Sequence, residues 1–156
     1  MDKQTIQVTW MYPDILSLHG ERGSVQAFEK VAENLKVDLK VTRIDQFEQK
    51  IDFENTDIML FLPGELKVIP NIKEALEKQK EELATYLQNR KYIIAIGTTS
   101  SLLAKKITRE DGTILEGLGI LDMDVKERKM VMGDELYFYI ENTKQEIIGS
   151  QIQMVD

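Results

Sequence analysis

The hydrophobic positions of the chain change period several times, and each change marks an element. Residues 4–11, QTIQVTWM, alternate between apolar and polar as a half-buried strand does. The following stretch, YPDILSLHGERGS, carries Pro13, Gly20 and Gly23 and reads as a loop with one short helical turn around Ile15 to Leu18. From Ser24, placed to cap a helix, the spacing lengthens, and Val25, Phe28, Val31, Ala32 and Leu35 fall on one helical face. Alternation returns in residues 37–44, VDLKVTRI, a second strand, and residues 46–55 are a polar connection. Residues 57–62, DIMLFL, form a nearly unbroken apolar run that stops at Pro63-Gly64, the pattern of a strand covered on both faces. Helical spacing is clearest over 71–88, where Ile72, Leu76, Leu83 and Leu87 recur and Asn71 with Glu74 can form a capping box. Residues 92–96 read as a buried strand, and a helix is predicted over 98–106. Downstream the character shifts. REDGT is a turn, GLGIL follows, and strand-like stretches occupy about 129–132, 135–141 and 146–153.

Alternation of β and α first, mostly β later, predicts an α/β fold: a mostly parallel sheet with helices on both faces and a later antiparallel β extension. Neither an internal repeat nor a linker is visible, so residues 1–156 are expected to form a single domain. At 156 residues and 42% hydrophobic content the chain can bury a sizeable core. Its apolar runs are too short for a membrane-spanning helix. The start, MDKQTIQV, lacks the apolar centre of a signal peptide, which points to the cytoplasm. A net charge of −7 with no basic stretch argues against nucleic acid as a partner. The absence of cysteine excludes disulfides, thiolate chemistry and zinc held through sulfur. A single histidine, His19, leaves little for a metal site, so no cofactor is expected. Asp122, Asp124 and Glu127 lack a regular ligand spacing and read as a charged turn. Tyr137, Phe138 and Tyr139 alternate faces, one expected in the core and the other exposed to a partner.

The chain is organised around KYIIAIGTTSSLL, residues 91–103. A strand, one glycine and an apolar helical pattern form half of a parallel βαβ unit, and ligands settle in the crevice beyond such strand ends. The same sharp turn presents nucleophiles in hydrolases, because it exposes a side chain while helix N–H groups face it. Here the turn residue is Gly97, which has nothing to attack with.

Several segments carry a family resemblance: YPDILSLHGERGSVQAFEKVAE, DIMLFLPGE, IAIGTTSSLLAKKITREDGTILEGLGILDMDV and IIGSQIQM, in that order. Together they resemble the glutamine amidotransferase domain of the cobyric acid synthase type, and most of all the glutaminase subunits of lipid II isoglutaminyl synthases. The likeness spans nearly the whole chain. It implies a flavodoxin-like sheet, glutamine as substrate, and ammonia passed to a synthetase partner, Mur-ligase-like for the nearest kin. It also implies a chain shortened at the C-terminus relative to that family.

The implied chemistry needs a cysteine thiolate, a histidine to move protons, and backbone N–H groups to hold the oxyanion. The family's Ile-Cys-Gly-Gly-Tyr-Gln elbow is matched by Ile96-Gly97-Thr98-Thr99-Ser100-Ser101, so the cysteine has become Gly97. The Gly-aromatic-Glu-x-His pattern is matched by Gly149-Ser150-Gln151-Ile152-Gln153, so the histidine has become Gln153, which cannot act as a base. The oxyanion loop is matched by Leu62-Pro63-Gly64, and proline has no N–H to give. The supporting acid is matched by Glu21. With three parts of one mechanism missing, the expected protein is a degenerate, non-hydrolysing relative that acts by binding, as a scaffold or regulatory subunit. Its old site, with Gly64, Gly97, Thr98, Thr99 and Ser100, would hold a small anionic or amino-acid ligand at the helix N-terminus, with Lys67 assisting. Two alternatives stand beside it. One is an active amidotransferase component in cell-wall precursor or cobalamin-type amidation. The other is a hydrolase using the hydroxyl cluster Thr98, Thr99, Ser100 and Ser101 with His19 as base, weighed against simple helix capping by those hydroxyls.

Overall fold

Strands β1 (Thr5–Met11), β2 (Asp38–Ile44), β3 (Ile58–Phe61) and β4 (Tyr92–Ala95) build a wholly parallel sheet in the order β2-β1-β3-β4. The computed structural model describes residues 5–18 and 22–156. Side chains alternate across the sheet, so each face takes half of every strand. In β3 this sends Leu60 to one side, where it packs with Val8, Trp10 and Val25 of helix α1 (Arg22–Leu35). Met59 and Phe61 go to the other side and meet Ile69, Ile72 and Leu76 of α2 (Ile69–Glu77) and Leu83 and Tyr86 of α3 (Lys80–Gln88). Both faces of β3 are thereby dry, which explains its unbroken apolar run. Burying each such side chain contributes roughly 1.5–3 kcal/mol.

A second four-stranded sheet follows, in the order β6-β5-β7-β8. It comprises β5 (Lys106–Thr108), β6 (Ile114–Glu116), β7 (Asp124–Ile140) and β8 (Gln145–Val155). The antiparallel extension anticipated from the sequence is present with one exception, since β5 and β7 pair in parallel. Arg109, at the end of β5, donates from Nε to Glu127 Oε2 on β7 at 2.6 Å. That hydrogen bond holds the Glu127 carboxyl below the usual carboxylate range. Beyond Glu127 the β7–β8 hairpin projects as a two-stranded ribbon.

Several elements differ from the sequence expectations. The predicted helix over 98–106 is a 3₁₀ helix, Gly97–Leu103, and the chain has turned into β5 by Lys106. The helix expected over 71–88 is two helices, because Gln79 leaves helical backbone values (φ −124°) and its side-chain oxygen receives the Ile51 N–H at 2.9 Å. Asn71 forms no capping box: α2 starts at Ile69, with Pro70 in its first turn where an N–H has no acceptor. Ser24 likewise lies inside α1, which begins at Arg22. Residues 13–16 make hydrogen-bonded turns on the Tyr12 carbonyl and no helix. Strand β4, expected to be buried, is the sheet's edge, and Tyr92 is 69% exposed. Tyr137, Phe138 and Tyr139 are all exposed, so neither face of that strand is core.

Candidate functional site

The C-terminal ends of the parallel strands open on a cavity of roughly 440 Å³. Each wall comes from a different element. Leu18 follows β1, Pro63 follows β3, and Ala95 ends β4 with residues 96–98 and Ser100 following it, while residues 151–155 of β8 close the remaining side. Position 97 and position 153, which lie 56 residues apart in sequence, therefore line one space. The fold brings together the two positions at which the resemblance places the nucleophile and the base.

Gly97 sits at φ +63°, immediately after Ile96 in extended conformation. This is the left-handed turn that a strand-to-helix elbow requires, and glycine adopts it without penalty. A Cβ at this position would stand 3.3 Å from the Pro63 ring, so the turn is packed tightly against the loop after β3. Pro63 offers its carbonyl to the Leu18 N–H at 3.3 Å, and it has no N–H to direct into the cavity.

The hydroxyls of the 3₁₀ helix point away from a catalytic arrangement. Thr98 Oγ1 donates to the Gly64 carbonyl. Thr99 Oγ1 donates to the Ile96 carbonyl at 2.8 Å, and Ser100 Oγ donates to the Gly97 carbonyl at 2.7 Å. A capping oxygen accepts an N–H, whereas these three give their protons to carbonyls, so the capping role expected of them is not what they do. They stitch the elbow to itself and to the loop after β3.

Gln153 is equally occupied. Its Nε2 donates to the Val155 carbonyl and to Asp156 Oδ1, each at 2.9 Å, and its Oε1 accepts from Gln151 Nε2 at 3.1 Å. An amide has no basic lone pair to take a proton at neutral pH. Among the described residues, every side chain lining the cavity is neutral. Lys67, expected to assist an anion, pairs with Glu65 at 2.5 Å and lies outside the lining.

Of the expected ligand-holding residues, Gly97, Thr98 and Ser100 border the cavity. Gly64 and Thr99 lie outside its lining: Gly64 faces Leu16, and Thr99 is fully buried. His19 and Glu21 lie outside the described residues. Gln151 and Ile152 were not anticipated as lining residues, although they fall inside the Gly149-to-Gln153 stretch and its position was the available signal. Asp122, Asp124 and Glu127 are separately paired with Lys105, Lys106 and Arg109, and no metal-holding cluster exists among the described residues.

Fold and cavity together define a chain of mixed α/β class with a ligand-sized pocket at the C-terminal edge of a parallel sheet, neutral among its described lining residues. No family model matches the chain. It is similar to the lipid II isoglutaminyl synthase (glutamine-hydrolyzing) subunit GatD of Streptococcus pneumoniae (strain ATCC BAA-255 / R6), at 26% identity over 116 residues. That alignment covers 74% of this chain and 44% of the relative. The subunit of the same description from Staphylococcus aureus (strain N315) is 30% identical over 109 residues, covering 70% of this chain and 44% of the relative. The chain thus spans less than half the length of the curated relatives it matches.

Proposed function

We propose that this chain is a glutamine amidotransferase-like domain that has lost glutamine hydrolysis and acts by binding, as a scaffold or regulatory subunit for a synthetase. The observation that carries the reading is the joint state of one cavity. The elbow geometry survives at Gly97 without a nucleophile, and the facing strand offers Gln153 where a base is needed. The strand order β2-β1-β3-β4 supports a flavodoxin-like sheet of the 2-1-3-4-5 type. The relatives' description as glutamine-hydrolyzing synthase subunits supports both the ancestral chemistry and a synthetase as partner. The neutral lining favours an uncharged or zwitterionic occupant, such as an amino acid, over a simple anion.

The test is ammonia release from L-glutamine by the purified chain, with a cysteine-containing relative as positive control. The expected result is no release above blank. Release that is abolished by Thr98→Ala or Ser100→Ala overturns the reading, because the hydroxyl cluster would then be the nucleophile. In the same samples, an unfolding midpoint that rises with added L-glutamine shows that the chain still binds the amino acid.

A further inference from the structure

The β7–β8 hairpin is apolar on both sides and, beyond the stretch 151–155 that lines the cavity, covered on neither. Paired residues on an antiparallel ladder share a face. Tyr137 stands opposite Ile148, Tyr139 opposite Glu146, and Gly133 opposite Ile152. One face therefore carries Tyr137, Tyr139, Ile148, Ile152 and, by alternation, Met154, with exposures of 61%, 55%, 80%, 70% and 38%. At roughly 150–250 Å² per large side chain, that face presents on the order of 600 Å² of apolar surface. The Glu135–Ser150 pair divides it into two parts, Tyr137, Tyr139 and Ile148 on one side and Ile152 and Met154 on the other. A two-stranded ribbon is also marginal in water without a covered face.

We infer that this face is the interface of a two-fold homodimer, with the hairpins of two copies packed face to face and running in opposite directions. Three features select a second copy as the occupant. Two such faces together bury about 1,200 Å², the lower bound of a stable standard interface. The hairpin is polar along its length: at its base Asp124 and Glu127 are neutralised by Lys106 and Arg109, leaving Lys126, Arg128 and Lys129, whereas Asp134, Glu135, Glu141 and Glu146 outnumber the one cation, Lys144, toward its tip. Arg128 is already paired with Asp156, but Lys126 and Lys129 make no ion pair among the described residues. An opposed second copy lays each basic base over an acidic tip, which fixes orientation more than it adds affinity. The large pair Tyr137–Ile148 of one copy then faces the Gly133–Ile152 pair of the other, where glycine leaves room. The cost falls on Glu135, opposite Ser150 in the middle of the same face, which meets its own symmetry mate.

Light scattering of the purified chain over a wide concentration range tests this. The expected mass is twice the 18.0 kDa of one chain. An Ile148→Lys, Ile152→Lys double variant is expected to be monomeric with an unchanged circular dichroism spectrum. Tyr139→Lys, on the same face, serves if the double variant does not fold. Glu135→Gln is expected to tighten the dimer several-fold, since it removes the central repulsion. A wild-type monomer at all concentrations overturns the inference, including one that another protein then covers. So does a polydisperse assembly, a dimer indifferent to these lysines, or a dimer loosened by Glu135→Gln.

Discussion

Tyr86 ties α3 to the sheet through a single hydroxyl. It accepts from the Met59 N–H at 3.1 Å and donates to the Tyr92 carbonyl at 2.5 Å, so one side chain bridges β3 and β4 from a helix 1% exposed at that residue. Tyr86→Phe removes the buried hydroxyl that both strands share. The expected loss is about 1–3 kcal/mol, read from the shift in urea midpoint at unchanged slope. Tyr12→Phe is the internal comparison. Its hydroxyl is buried with no hydrogen-bond partner among the described residues, so its removal is expected to cost less than Tyr86→Phe. The residue scale is also where the sequence was most legible. Gly97, Pro63 and Gln153 can be read as chemically silent from identity alone, because a missing side chain, a missing N–H and an amide have the same chemistry in any fold. Their convergence on one cavity could be read only through the resemblance, since 56 residues and a second sheet separate Gly97 from Gln153.

The segment GLGIL shows what an element can do without being a helix or a strand. Residues 117–121 send their N–H groups back to the last residues of the 3₁₀ helix and the two that follow: Gly117 to the Lys105 carbonyl, Leu118 to Leu102, Gly119 to Ala104 and Leu121 to Leu103. This backbone clamp holds the end of the 3₁₀ helix, and hence one wall of the cavity, in place. Gly117 is required for the approach, because a Cβ there would stand 2.1 Å from the Ala104 carbonyl oxygen. No rotamer relieves a clash with backbone. Gly117→Ala is therefore expected to destabilise by at least about 1–3 kcal/mol, measured by chemical denaturation, and to disturb the cavity before the parallel sheet. Strand β3 was readable because burial on both faces imposes an apolar run, and β1 and β2 because their residues alternate. The break at Gln79 was not, since it depends on the Ile51 N–H, a partner 28 residues away. The 3₁₀ helix was not readable for the same reason: its hydroxyls bind carbonyls, including that of Gly64, and a clamp from residues 117–121 replaces further helical turns.

Across the whole molecule, two buried phenols set how stability responds to alkali. Burial pushes both the Tyr12 and the Tyr86 hydroxyl up to about 12, from an ordinary value of 10.0. A phenol that resists ionisation in the folded state but ionises freely in the unfolded state contributes its full stabilisation below pH 10. That contribution is lost as the pH climbs through the folded-state value near 12. Each group removes about 1.4 kcal/mol per pH unit across that window. Urea unfolding at about pH 9, 10, 11 and 12 should therefore show little change over the first step and a steep fall over the next two. Lysine deprotonation in the same range also raises net negative charge on a chain that already carries −7, so the slope alone does not isolate the phenols. The comparison with Tyr86→Phe does. The variant starts less stable, yet it loses stability more shallowly above pH 10, because one of the two titrating groups is gone and the lysines are unchanged. Parallel slopes for the two proteins would mean that Tyr86 ionises in the folded state as easily as in the unfolded one, and that the α3 contact with the sheet is open to water.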